Sequence, residues 1–149
     1  MAMTTAMCHS IALLFFNNTA LANWGDATGL PASAGAGSVY GGLHSADPGL
    51  AGNQTTSELS YTGYNASARP GLARSSAGWT VGTGGAVSNA AAMTWGACTA
   101  GSGTCTYLGL GFATSSTGNL FCTGSTNNLS ISAGITPSAA IGAITWTLS

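Results

Sequence analysis

Thr104-Cys105-Thr106-Tyr107-Leu108-Gly109-Leu110-Gly111-Phe112 is the stretch that decides the fold class. Leu108, Leu110 and Phe112 alternate with Gly109 and Gly111, which is the two-residue period of a strand. Large side chains face one way and bare backbone the other, so something must pack closely on the glycine face. Similar runs follow one another along the chain, separated by turn chemistry. Val39–His44 ends at Asp47-Pro48-Gly49, where Pro presets one turn dihedral and Gly accepts positive φ. Glu58–Ala68 carries Leu59, Tyr61 and Tyr64, with Gly63 read as a bulge. Trp79–Val81 and Ala86–Ser88 flank Gly82–Gly85 as a hairpin, and Ala92–Cys98 with Thr104–Phe112 flank Ala100–Gly103 as another. Asn119–Gly124, Asn128–Ser132 and Ile141–Leu148 complete about eight strands. In the last, Ile144, Trp146 and Leu148 share a face.

The spacing predicts a mainly β, single-domain, jelly-roll-like β-sandwich with a short N-terminal helix. Residues 1–24 are assigned to that helix and its lead-in, 25–37 to a Gly/Ala/Pro/Ser-rich arm or loop, and 38–149 to the sandwich. For the helix, Thr4 or Thr5 is the N-cap and Asn17-Asn18 the stop, with Met7, Ile11, Leu14 and Phe15 on its apolar face. The six-residue apolar run Ile11–Phe16 is far short of the roughly 20 residues that span a bilayer, so no membrane role is expected. Without a preceding Lys or Arg it also makes a poor secretory signal.

Composition narrows the function. Ala, Gly, Thr and Ser make up 87 of 149 residues, and only Asp26, Asp47, Glu58, Arg69 and Arg74 are charged. Two arginines and no lysine cannot neutralise a row of phosphates, which excludes nucleic-acid binding, and a lysine-dependent phosphate loop is excluded too. Only 25 residues are Leu, Ile, Phe or Val, a composition that borders on disorder. Four Trp, four Tyr and four Phe argue for an ordered core. A net charge of −1 leaves little repulsion between copies, which suits a molecule packed into an assembly.

Catalytic and metal constellations are sparse. His44 and Asp47 with a nearby serine make a triad only on paper, since Asp47 more simply bonds its own turn. A carboxylate pair would have to come from Asp26, Asp47 and Glu58. Cys8, Cys98, Cys105 and Cys122 lack the paired spacing of a zinc site, so no metal and no cofactor is expected. Cys98 and Cys105, flanking a turn, are candidates for a cross-strand disulfide. The four Asn-x-Ser/Thr sequons at Asn17, Asn53, Asn65 and Asn128 arise easily among 38 Ser and Thr residues. Ile11, Leu14, Phe15, His44, Arg69 and Arg74 are the candidate subunit contacts, the arginines through a neighbour's carbonyls or carboxylates.

The order of segments carries a resemblance. Leu43-His44-Ser45-Ala46-Asp47-Pro48-Gly49 precedes Ala51-Gly52-Asn53-Gln54, Ser57-Glu58 and Tyr61-Thr62-Gly63-Tyr64. Ser88–Trp95, Leu108–Gly111, Ser132–Ser138 and Gly142–Thr145 follow. This resembles a family of small tailed-bacteriophage virion proteins, tail-fibre-like or of the capsid cement (decoration) kind. The resemblance implies a structural protein and no enzyme. The first expectation is a cement protein on the outer surface of the capsid, bridging major capsid protein subunits and pairing with copies of itself as a homodimer or homotrimer. The alternative is a tail-fibre or tail-tip module that binds a host surface receptor. In that case Trp79, Trp95 or Tyr107 would stack on sugars, unless they simply fill the core.

Overall fold

A computed structural model describes residues 2–22, 24, 29–66 and 68–148. The fold is mainly β, with one helix: α1 (Thr5–Asn17), β1 (Ser38–His44), β2 (Gly71–Ala73), β3 (Trp79–Val81), a 3-10 turn (Thr83–Gly85), β4 (Ala86–Asn89), β5 (Met93–Thr94), β6 (Ser102–Gly111), β7 (Leu120–Ser132), β8 (Ser138–Ala139) and β9 (Thr145–Thr147). The strands belong to antiparallel sheets. Two compact units share the chain: Met1–Ser38, Leu72–Ala92 and Ala139–Ser149 form the first, Val39–Gly71 and Met93–Ser138 the second. Residues 25–28 of the expected arm, Asp26 among them, lie outside the described residues. Beyond them, Leu30 bridges back to Leu21.

In the first unit the helix starts and stops where its sequence indicates. Thr4 Oγ1 accepts the Met7 N–H at 3.3 Å, and Asn18 ends the helix in the left-handed region at φ 50°. The buried seam is different from the expected one. Cys8, Ala12 and Phe16 are buried, whereas Ile11, Leu14 and Phe15 are only half-buried. Small side chains decide this rotation. A Cβ placed on Gly85 would lie 2.9 Å from the Cys8 Cβ, so the helix approaches this turn more closely than Leu or Ile would allow. Phe16 then reaches Trp79, edge-on with centroids 5.0 Å apart, and Trp146 at 5.8 Å. The expected β3–β4 hairpin forms, with Trp79 opposite Asn89 and Val81 opposite Val87, and β9 adds to the other edge of β4. Asn89 Oδ1 accepts the Ile144 N–H, and its amide donates to the carbonyls of Ala91 and Ala140, which locks the C-terminal segment to this sheet.

In the second unit β6 lies between β1 and β7. Pairing runs from Tyr40 opposite Gly111 to His44 opposite Tyr107. Gly42, His44, Gly109 and Gly111 therefore share one face, and the sequence requires that face to be closely covered. The cover is the segment that follows β1. A Cβ on Gly111 would run into the side chain of Gln54, and one on Gly109 into the imidazole of His44 and into Leu120. On the opposite face Gly41 lies under Met93 and Trp95, and Trp95 Nε1 donates to Gly41 O at 2.9 Å.

Three strand expectations are corrected here. Glu58–Ala68 is not a strand; it makes isolated bridges, His44 with Glu58 and Tyr61 with Tyr64 among them. Its alternation is broken because Tyr61 and Tyr64 both turn into the core, their rings 5.5 Å apart. Gly63 sits at φ 114° in the turn between them, and a Cβ there would collide with Ala97 O. Ala92–Cys98 contains only the two residues of β5 and does not pair with β6; Trp95 and Cys98 instead donate to the carbonyls of Pro137 and Ile135. Asn119–Gly124 and Asn128–Ser132 run together as β7. Tyr107 faces Ser125 while Cys105 faces Leu129, so Thr126, Asn127 and Asn128 bulge out opposite Thr106 alone.

Candidate functional site

The segment leaving β1 is folded by short polar side chains acting on their own backbone. Asp47 accepts the Gly49 N–H at 2.9 Å, as its turn position suggests. Asn53 Oδ1 accepts both the N–H and the hydroxyl of Thr55, and Thr56 Oγ1 accepts the Asn53 N–H. The chain is thereby turned back over the glycine face, where His44, Gln54 and Glu58 meet it.

Glu58 and Arg69 form a buried two-pronged pair, Nε to Oε1 at 2.7 Å and an Nη to Oε2 at 2.6 Å. Their side chains are 3% and 0% exposed. The Tyr64 hydroxyl donates to Glu58 at 2.6 Å and accepts the Leu43 N–H at 3.1 Å, tying the pair to β1. Burial, reinforced by this bond, holds the Tyr64 phenol well above its ordinary pKa.

The free end of the Arg69 guanidinium continues outward, donating to the carbonyls of Ala113 at 3.2 Å and Ser116 at 3.0 Å. Gln54 grips the same loop. Its Oε1 accepts the Ala113 N–H at 3.0 Å, its Nε2 donates to Ala113 O at 3.2 Å, and its backbone N–H donates to Gly118 O at 2.8 Å. Gly111 and Gly118 leave room for that amide. Every group in the clamp faces inward, so its product is the position of the 112–119 loop. At the margins of that loop stand Phe112, 42% exposed, and Phe121, edge-on with centroids 5.9 Å apart. A fully exposed Leu50 caps the neighbouring turn.

His44 Nδ1 lies 2.8 Å from Thr56 O, so that nitrogen carries the proton, and the buried Nε2 has no hydrogen-bond partner. Desolvation lowers the His44 pKa below its usual 6.5; the Thr56 bond and the Glu58 charge oppose this, and Arg69 adds to it. The unfolded chain thus binds a proton that the folded chain refuses. Stability is complete above the unfolded pKa of about 6.5 and falls as pH drops from there toward the lower folded value. Urea melts between pH 8 and 5 should show this loss. His44→Gln should flatten it; an unchanged slope in that variant would place the titration elsewhere.

The arginines do bind carbonyls and a carboxylate, but within this chain. Arg74 donates to the carbonyls of Leu14 and Phe15 at the end of α1 and to Ala36 O. His44 and Arg69 are buried, which removes both from the surface contacts expected of them. Cys98 and Cys105 are buried free thiols, with Cys98 Sγ near the carbonyls of Ala100 and Gly101 and Cys105 Sγ near Tyr107 O. Burial raises the Cys105 thiol and pushes Cys122 to about 12. Among the described residues no three His, Cys, Asp or Glu side chains converge as metal ligands. Asp47 is exposed and Glu58 is held by Arg69, so these two do not form a facing carboxylate pair. Trp79 and Trp95 fill the cores of their units and Tyr107 is half-buried, which leaves neither tryptophan for stacking on a sugar. Gln54 and Phe121 were not singled out by sequence; the glycines at 111 and 118 were the available signal for the first.

The family described as Podophage GP4 fiber I protein gp80 matches residues 15–147, and the chain belongs to this family of tailed-phage virion proteins. No curated protein matches it.

Proposed function

We propose that this member of the podophage fibre I family is a non-catalytic component of the virion fibre, and that the Phe112–Phe121 tip is its contact with the host surface. The observation that carries the reading is a buried polar clamp whose outward product is a pair of adjacent phenyl rings. An exposed Phe112 ring, braced edge-on by the half-buried Phe121, loses little entropy on binding and suits a sugar face or an apolar patch. The titratable groups beneath them, His44, Glu58, Tyr64 and Arg69, are engaged in packing and have no access to a substrate. The family description favours the fibre over a cement protein bound to the major capsid protein on the outer capsid surface. The low charge suits either position.

Quantitative gels of separated heads and tails test the placement. A small number of copies with the tails is the expected result; hundreds with the heads would overturn it in favour of cement. Phe112→Ala tests the tip. The variant should melt within about 1 kcal/mol of the parent, as surface substitutions do. Particles carrying it should adsorb to host cells at least tenfold more slowly, and adsorption at the parental rate would remove the tip from the contact.

A further inference from the structure

The 112–119 loop spends its backbone on the interior. The Arg69 N–H donates to Thr114 O at 3.2 Å, the Arg69 guanidinium to Ser116 O at 3.0 Å, the Ser116 N–H to Ala66 O at 2.8 Å and the Gln54 N–H to Gly118 O at 2.8 Å. Ser116, at φ 60°, is held in the left-handed region by bonds on both its N–H and its carbonyl. With the main chain so engaged, Thr114, Ser116, Thr117 and Asn119 form the exposed rim of the loop. Their side chains are short and uncharged, and each can both donate and accept. Beside this rim stands Phe112, 42% exposed, with Phe121 edge-on behind it.

A fixed rim of hydroxyls next to a phenyl ring matches one ligand chemistry better than others. A pyranose ring has an apolar face of C–H bonds, whose slight positive charge meets the negative face of a phenyl ring. Around its margin it carries hydroxyls that need donors and acceptors alike. An apolar protein patch would cover the same phenyl but leave the rim's polar groups buried without partners, which costs stability.

Charge then selects among saccharides. Arg69 and Arg74 are the only Lys or Arg side chains of the chain. The first is buried against Glu58 and the second is bonded to the carbonyls of Leu14, Phe15 and Ala36. A uronate or a phosphate-bearing sugar would therefore leave water without a counter-charge to meet it. We propose that the tip takes a neutral hexopyranose unit of a host surface polysaccharide, its ring stacked on Phe112 and its hydroxyls bonded to Thr114, Thr117 and Asn119. This rests on the tip being the host contact and names the class of its ligand. One such site binds weakly, and a repeating polysaccharide met by several sites on one particle strengthens the attachment by avidity.

Host surface polysaccharide, separated on an anion exchanger into neutral and acidic fractions and immobilised, is the probe for the full chain. The neutral fraction should bind it equally at about 0.05 and 0.5 M salt, because no ion pair is made. Phe112→Ala should weaken this binding at least tenfold, and Thr114→Ala with Thr117→Ala by a similar factor, while Phe112→Trp keeps an aromatic face and should bind like the parent. Circular dichroism and melting should be unchanged in all three. Binding to the acidic fraction alone, binding to neither, strong salt dependence, or neutral binding indifferent to Phe112→Ala overturns the assignment. Particle adsorption keeps the two readings apart. If Phe112→Ala slows adsorption while the chain ignores both fractions, the tip remains the host contact and a saccharide is not its ligand. If adsorption is unchanged, the contact itself falls, and this ligand with it.

Discussion

Arg69→Ala should cost about 3–5 kcal/mol of stability, because it leaves the Glu58 carboxylate buried without its partner. The pair lies under the cover segment, both side chains almost wholly removed from solvent, and among the described residues Glu58 keeps only the Tyr64 hydroxyl once Arg69 is gone. The loss is of the partner, not of attraction alone. Replacing both members by apolar residues of similar size, Glu58→Leu with Arg69→Met, should recover most of the stability, since no charge then remains to be solvated. It should not restore the 112–119 loop, whose Ser116 carbonyl accepts from Arg69. Urea denaturation measures the first effect and amide exchange at residues 113–118 the second. A single-variant loss under about 1 kcal/mol would mean that the pair is solvated like a surface ion pair.

Trp79→Ala should cost about 3–5 kcal/mol through the cavity left in the first unit. Trp79 is 1% exposed and packs edge-on against Phe16, which in turn meets Trp146, so removing it strips the helix of its main contact with the sheet. Thermal melts with circular dichroism should show loss of helix together with loss of stability. Host adsorption by particles that retain the folded variant should match the parent, in contrast to Phe112→Ala. Weakened adsorption from a folded Trp79→Ala protein would reassign the contact to this tryptophan and contradict its burial.

Much of this architecture is legible in local sequence. The Thr4 cap and the Asn18 stop act on their own backbone neighbours, as does the Asp47 turn, so their positions follow from residue type and spacing. The Leu-Gly alternation of 108–111 likewise announces a close cover on one face. What it does not announce is the identity of the cover. Gln54 lies 57 positions from Gly111, and Glu58 eleven from Arg69; such matches exist only once the chain has turned back on itself. The subunit contacts expected at His44 and Arg69 went astray for the same reason. A polar residue in a charge-poor chain looks like surface until its internal partner is found.

Residue chemistry alone was enough for the β class, the capped N-terminal helix and the kinship with tailed-phage virion proteins, because each depends on periodicity, composition or short motifs. Folding in three dimensions settled the rest: which seam of the helix is buried, which strand neighbours which, and that two successive short stretches run together as one strand of thirteen residues with a bulge at its centre. Ladder order and close packing are relations between distant segments. They are set by which small residues permit approach and which polar groups find partners, and neither is written in any single stretch of the chain.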